Sequence, residues 1–412
     1  LLRGSVNNGA FRDFDSNCFI KDYNATGNLN SANVTIQFLA GNSTNPFYSP
    51  IVLGNITLDS RDLIAPAISY NSQTPADNSS IASNSIYVNV SLTENNLENM
   101  SYYLYNSTLN ISNLVGYWAF ERNTSSVRDW SKNGNDGTRA GGVNWTTGGK
   151  LGNAYTFDGV DDLINIPHNS LLNFERTDSF SISAWIKTSS TQADYMITKQ
   201  GTSPDFTGYE FSMLGASGVV RMALVSSTPS RILVSSTNTV NNGAWRHIVA
   251  TYNGSSNWTG VKLYIDGVAE TNVKGVDSLS TTIQNTETLQ IGDAANDDAF
   301  FTGNIDEVMV FDKALSASEI SELYNRSLVN KTTYSTITNS LNYTGLVDDD
   351  YNFLVDVLDK SENYNFTSIR NVKLDATFPI PVFANPTTNA TNLSQSFIQA
   401  NVSVTETNLD TI

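Results

Sequence analysis

The phrase Asn89-Val90-Ser91-Leu92-Thr93-Glu94 returns as Asn401-Val402-Ser403-Val404-Thr405-Glu406, with sequence of a different kind between the two copies. The echo extends to Leu58-Asp59 with Pro66 against Leu374-Asp375 with Pro379, and to Asn96-Leu97 against Asn408-Leu409. An offset of about 312 residues is too long for adjacent repeats of a short-strand module. Removing the stretch from about Leu114 to Leu328 shortens the period to roughly 100 residues, the length of one small β-sandwich. The pattern predicts an array of sandwiches, one of which carries a second domain inside a loop.

The fold class expected is all-β. Ile86-Tyr87-Val88-Asn89-Val90-Ser91-Leu92 and Tyr351-Asn352-Phe353-Leu354-Val355-Asp356-Val357 are rich in β-branched and aromatic residues and end at Asn, Asp or Gly. Lys262-Leu263-Tyr264-Ile265 and Val268-Ala269-Glu270 flank Asp266-Gly267, a strong hairpin signal. Further strands are expected over 34–38 and 51–58. One helix is expected, because Ser316-Ala317-Ser318-Glu319 is a capping box and Ile320, Leu323 and Tyr324 follow at helical spacing.

Net charge is −17, yet only 15% of the 412 residues are charged, so polarity comes mainly from Asn, Ser and Thr. No basic patch survives that balance, which argues against nucleic acid as a partner. Cys18 is the single cysteine and excludes an internal disulfide in this stretch. About twenty Asn-x-Ser/Thr triplets occur, among them Asn24, Asn33, Asn55, Asn106, Asn123, Asn144, Asn257, Asn330, Asn365 and Asn401. They read as glycosylation acceptors of an extracellular protein, or as the by-product of an Asn/Ser/Thr-rich composition. Leu1 is not a start methionine and the second repeat copy stops at Ile412. The chain therefore reads as a piece of a longer protein, with no membrane contact expected in this piece.

Leu346-Val347-Asp348-Asp349-Asp350-Tyr351 sets a Tyr at a strand start after a polar turn, where a tyrosine corner belongs. Val357-Leu358-Asp359-Lys360-Ser361-Glu362-Asn363-Tyr364 resembles the Asp-x-x-Gly-Asn turn of bacterial and archaeal Ig-like repeats, with Glu362 in place of the usual Gly. The resemblance implies an Ig-like sandwich over 63–113 and 329–376. Residues 1–62 are then the end of a preceding β module, and 377–412 the start of a further Ig-like repeat.

The intervening block carries more specific phrases. They are Val115-Gly116-Tyr117-Trp118-Ala119-Phe120 with Asp129-Trp130-Ser131-Lys132-Asn133-Gly134-Asn135-Asp136-Gly137, Tyr155-Thr156-Phe157-Asp158-Gly159-Val160-Asp161-Asp162, and Phe180-Ser181-Ile182-Ser183-Ala184-Trp185-Ile186. Trp245-Arg246-His247-Ile248-Val249-Ala250-Thr251-Tyr252 and Gly303-Asn304-Ile305-Asp306-Glu307-Val308-Met309-Val310-Phe311 follow in order. Together they resemble the laminin-G-like, concanavalin A-like lectin/glucanase jelly rolls, and the resemblance implies two antiparallel sheets packed face to face over 114–328. Adjacent ends in such a roll suit insertion into a surface loop.

Asp129, Asn133 and Asn135 offer hard oxygen ligands at alternating spacing in a Gly-containing turn, and the fold implies that Asp306 lies near the first strand. The resemblance implies a structural Ca²⁺ in many relatives. The same residues would otherwise make Asx turns and cap a strand. A second candidate is Asp158 with Asp161 and Asp162, helped by the loop Asp293-Ala294-Ala295-Asn296-Asp297-Asp298, unless Asp158-Gly159 is simply a tight turn. Tyr209, Trp258, Phe300 and Phe301 fall in loop-like segments and are candidate platforms for sugar rings. Trp118, Trp185 and Trp245 sit in strand blocks and read as core.

An enzyme is not expected. His168 and His247 are the only histidines, far apart in sequence, and give no nucleophile-and-base arrangement. The Glu-x-Asp-x-Glu spacing of the fold's glycosidases is absent. Glu307 and Asp312 lie five apart, which would put them on opposite faces of a strand. The leading expectation is a non-catalytic cell-surface adhesin, its jelly roll binding a glycan or surface polymer and its Ig-like repeats forming a stalk beside neighbouring repeats. The alternatives are a purely architectural S-layer or wall protein and the non-catalytic part of a polysaccharide-active enzyme. Exposed aromatics lining one concave face would favour adhesion; a concave face filled by Asn, Ser and Thr would favour architecture.

Overall fold

Antiparallel strands dominate the structure, a computed structural model that describes residue 62 and residues 64–377, apart from 108, 110, 202–203, 228 and 294–298. It also describes the strands Phe38–Asn42, Asn45–Ile51, Ile380–Phe383 and Val402–Thr405. The chain divides into two compact units, Leu1–Ile64 and Ala65–Ile412. In the first, Phe38–Asn42 pairs antiparallel with Asn45–Ile51. The strands expected over 34–38 and 51–58 fall mostly outside the described residues, as do Cys18, Asp59, Pro379, Asn401, Asn408 and Leu409.

In the second unit, both copies of the repeated phrase lie in hairpin-like pairs: Ser91 faces Ser69, and Ser403 faces Val382. A sandwich is built from strands on both sides of the central block. Its larger sheet runs in the order Ser327–Tyr334, Leu97–Asn106, Asp349–Asp359, Arg370–Leu374 and Ser79–Ile81, with Tyr364–Phe366 also on Asp349–Asp359. Its smaller sheet is Ser340–Thr344, Ser85–Thr93 and Ala67–Tyr70. Ile86, Val88 and Val90 of the small sheet meet Tyr102, Phe353 and Val355 of the large one in a shared core. The Tyr351 hydroxyl donates back to Val347 O at 3.1 Å, the bond expected of a tyrosine corner. Ser327 and Leu328, expected at the end of the central block, instead pair with Asn106 and Tyr105.

Between Asn106 and Ser327 the chain forms the jelly roll. One eight-stranded sheet runs Asn144–Thr146, Ala154–Asp158, Thr302–Phe311, Ser179–Lys187, Trp245–Asn253, Val261–Ile265, Val268–Ala269, with Leu114–Trp118 beside Thr302–Phe311. The facing nine-stranded sheet runs Val273–Asp277, Ser230–Thr239, Val219–Ser227, Gly208–Leu214, Asp194–Gln200, Leu289–Ile291, Leu163–Ile166, Gly137–Ala140, Ser126–Val127. Phe180, Ile182 and Ile186 from the first sheet and Phe211, Met222 and Ile291 from the second fill the core between them. The Asp266-Gly267 turn has φ of 50° and 77°, the left-handed pair a tight hairpin requires.

Alternation along Ser179–Lys187 explains how the roll is seated. Its even residues face the core, whereas Ser181, Ser183 and Trp185 are buried on the opposite side. That side is covered by the helix Ala317–Asn325 and by the larger sheet of the other sandwich. The helix starts at the expected capping box, Ser316 accepting Glu319 N–H and the Glu319 carboxylate accepting Ser316 N–H. Its Ile320 and Leu323 join Tyr117, Met309, Tyr105, Leu354 and Phe366 in a third core that welds the two sandwiches together. Leu97–Asn106 is consequently buried on both faces: Tyr102 and Leu104 enter one core, Tyr103 and Tyr105 the other. Ion pairs with buried carboxylates cross the same junction, half-buried Lys331 to Glu121 at 2.6 Å and half-buried Arg122 to Asp356, with the fully buried Arg326–Glu307 pair inside it.

Candidate functional site

The residues of the first cation candidate are engaged by the backbone. Asp129 Oδ1 accepts Tyr117 N–H at 3.0 Å and Ser131 N–H at 2.9 Å, and its Oδ2 accepts Asn135 N–H at 3.0 Å. Asn133 and Asn135 donate through their amide nitrogens to Leu114 O and Val115 O. Asp306 accepts from Lys150 N, Leu151 N and Glu307 N. Asp129 and Asp306 share no partner, and both carboxylates are occupied by backbone donors that make Asx-type braces. Burial, and after it the Glu307 charge, pushes the Asp306 carboxyl well above the usual range. Asn135 Oδ1 is the one orphaned oxygen of the set, and a single amide oxygen does not make a Ca²⁺ site. Asp129, Asn133 and Asn135 thus sit in one set of backbone bonds and Asp306 in another.

The second candidate is gathered. One carboxylate oxygen from each of Asp158, Asp161 and Asp162 lies within 4.8 Å of the others, with Asp158 and Asp161 exposed and Asp162 buried. Residues 294–298 of the expected supporting loop lie outside the described residues.

Two of the four aromatic platforms are core residues. Tyr209 is 1% exposed, packs at a tilt against Phe174 and Phe180, and donates its hydroxyl to Leu172 O at 3.0 Å. Phe301 is fully buried, its ring set edge-on to Phe157 at 6.1 Å. Neither can offer a ring face to a sugar. Trp258 is half-buried against the core, with Lys274 Nζ 5.9 Å above its ring, and Phe300 is half-buried.

The groups weighed for catalysis are held in the following contacts. His247 is buried beside the stacked Trp185 and Tyr324 rings, bonds Ser183 Oγ through Nε2 at 2.9 Å, and is held neutral because burial pulls its pKa down to about 3. Glu307 Oε2 accepts from Arg326 and from the Tyr117 hydroxyl while its Oε1 is buried without a partner, and exposed Asp312 accepts Asn113 Nδ2 at 2.8 Å.

A surface that the sequence reading missed lies on the outer face of the nine-stranded sheet. None of this sheet's residues joins the junction core or the other sandwich's core. Along its outer face, cross-strand register lines up Thr138, Asn165, Gln290, Thr198 and Glu210 over five strands, about 19 Å at ordinary strand spacing. The adjoining row is Tyr195, Ser212, Arg221 and Ser235. Glu210 anchors both: its carboxylate accepts from Ser212 Oγ, from Arg221 Nη2 at 2.5 Å and from Gln200 Nε2 at 3.4 Å. Gln290 Nε2 donates to Asn165 Oδ1 at 3.2 Å. Tyr195 is half-buried on the same face. Its backbone N–H donates to Ala299 O, which brings the segment carrying Phe300 to this edge. The signal was the strict polar–apolar alternation of Tyr209-Glu210-Phe211-Ser212-Met213.

A search of curated proteins gives no match to this chain. Among solved structures, the binding domain of Paraclostridial Mosquitocidal Protein 1 aligns over 52% of this chain and 52% of its own, at 19% identity and a TM-score of 0.43. Domain 4 of AbnA, a GH43 extracellular arabinanase from Geobacillus stearothermophilus solved with arabinotriose, aligns over 52% of this chain and 98% of its own, at 21% identity and a TM-score of 0.40. The botulinum neurotoxin serotype D/C binding domain aligns over 52% of each chain, at 15% identity and a TM-score of 0.41. This chain spans about half the length of the toxin binding domains it resembles. Residues 157–321 match the family model described as the concanavalin A-like lectin/glucanases superfamily, and the two facing sheets between Asn106 and Ser327 are a jelly-roll β-sandwich.

Proposed function

We propose that this jelly roll is a non-catalytic glycan-binding domain and that its sugar lies on the outer face of the nine-stranded sheet. The observation carrying the reading is the Glu210 network beside half-buried Tyr195. Fixed donors and acceptors stand in register over five strands, with Thr138 exposed, Asn165 half-buried and Thr198, Gln290 and Glu210 largely buried, next to one aromatic ring. Sugar hydroxyls need such paired groups, and a ring supplies rigid apolar area. The Arg221–Glu210 pair neutralises itself, which suits an uncharged glycan. Around this domain we read an extracellular or cell-surface protein whose second sandwich is an Ig-like stalk repeat carrying the roll as a loop insertion. The Asn-x-Ser/Thr triplets support that setting.

The test is a glycan array probed with the full chain, with Ca²⁺ and again with EDTA. The expected result is a specific signal that falls at least tenfold, about 1.4 kcal/mol, in Tyr195→Ala and is unchanged in Trp258→Ala. A folded protein that binds nothing, or binding that ignores Tyr195, defeats this site. The architectural reading is favoured by one observation: apart from Tyr195, these two rows are Thr, Asn, Gln, Ser, Glu and Arg rather than rings. It predicts no array signal.

A further inference from the structure

We infer that Asp158, Asp161 and Asp162 hold a single Ca²⁺ ion, independently of whether the sheet face binds sugar. Three carboxylate oxygens lie within 4.8 Å of one another, and no salt bridge to Lys or Arg reaches any of them among the described residues. Like charges at that separation repel, so the cluster alone is unfavourable. Proximity alone does not make a site; the buried member does. Asp162 is 2% exposed and spends Oδ2 on the Asp158 N–H at 2.8 Å, while its Oδ1 is sealed from water and has no hydrogen-bond partner. A buried acceptor left in that state costs about 1–3 kcal/mol, more for a charged group. A cation answers both costs at once.

The surrounding backbone is shaped to keep these oxygens together. The Gly141-Gly142 turn packs directly on them: a Cβ on Gly141, at φ +79°, would lie 2.0 Å from Asp161 O, and one on Gly142 would lie 3.4 Å from Asp162 Oδ1. All candidate side-chain ligands are hard oxygens, which excludes the N/S chemistry of a zinc site. Two of the three are exposed, leaving coordination positions for water in the irregular shell that Ca²⁺ accepts and Mg²⁺ does not.

The experiment is calorimetric titration of the chelator-treated full chain with CaCl₂ and with MgCl₂, alongside thermal unfolding in each salt. Asp161→Asn is the test variant, because its side chain is exposed and accepts no hydrogen bond from the turn among the described residues. Asp349→Asn, an exposed acid elsewhere, is the control. We expect a Ca²⁺ site tighter than about 1 mM, a higher Tm in Ca²⁺, loss of that site and of that Tm rise in Asp161→Asn, and no change in Asp349→Asn. Absence of saturable binding in the wild type, or a site that survives Asp161→Asn, overturns the assignment. So does equal binding of Mg²⁺.

Discussion

Arg122 Nε donates to Asp356 Oδ2 at 2.8 Å, so a carboxylate inside one sandwich is neutralised by a side chain from the other. Asp356 is fully buried and also accepts the Tyr103 and Tyr364 hydroxyls at 3.1 and 2.9 Å. Replacing Arg122 by Met leaves that charge without its cation. The expected loss is about 3–5 kcal/mol in urea unfolding of the full chain, largely recovered in the Arg122→Met/Asp356→Asn double variant. A loss below about 1 kcal/mol would put the pair with ordinary surface bridges.

Glu121 gives the junction a pH signature. Burial raises its carboxyl to about 7, with the Lys331 ammonium pulling the other way. The native state therefore holds this proton more tightly than the unfolded chain, whose carboxyl titrates near 4.5. From this group, stability is greatest below about pH 4.5, falls as pH rises to about 7 and is level above. Glu121→Gln removes the titration, so the variant gains on the wild type between pH 5 and pH 8. Urea midpoints at the two pH values measure it; an unchanged difference would mean that Glu121 does not titrate there.

Tyr209 and Phe301 predict stability effects without binding effects. Tyr209→Phe leaves Leu172 O unpaired and should cost about 1–3 kcal/mol. Phe301→Ala opens a core cavity and should cost about 3–5 kcal/mol. Neither should alter an array signal measured on the folded fraction, whereas a platform role would abolish it.

Local signals were legible in the sequence. The Asp266-Gly267 hairpin, the Ser316/Glu319 capping box and the Tyr351 corner each depend on residues a few positions apart, and each is in place. Tyr209 was misread as a loop residue although its neighbours alternate polar and apolar, while Phe301 stands just before the strand Thr302–Phe311, where no period marks its inward turn. Asp129 and Asp306 looked like ligands because their types suit Ca²⁺, but backbone N–H groups that converge only in the folded chain occupy them. The junction was out of reach for a further reason. Arg122 and Asp356 are 234 residues apart, and nothing in either local phrase announces a partner at that distance.

The pairing of Ser327 with Asn106 has a mechanical consequence. Asn106 Oδ1 accepts both Ser327 N–H and Ser327 Oγ–H, at 2.9 and 2.8 Å, so the two stems of the jelly roll are tied side by side at its base. A pull applied between Ala67 and Leu374 then passes from Leu97–Asn106 across hydrogen bonds to Asp349–Asp359 and Arg370–Leu374. The more than two hundred residues between the stems lie off that load path. Stretching would rupture the second sandwich first, and the face proposed to bind would keep its shape until the base knot opened.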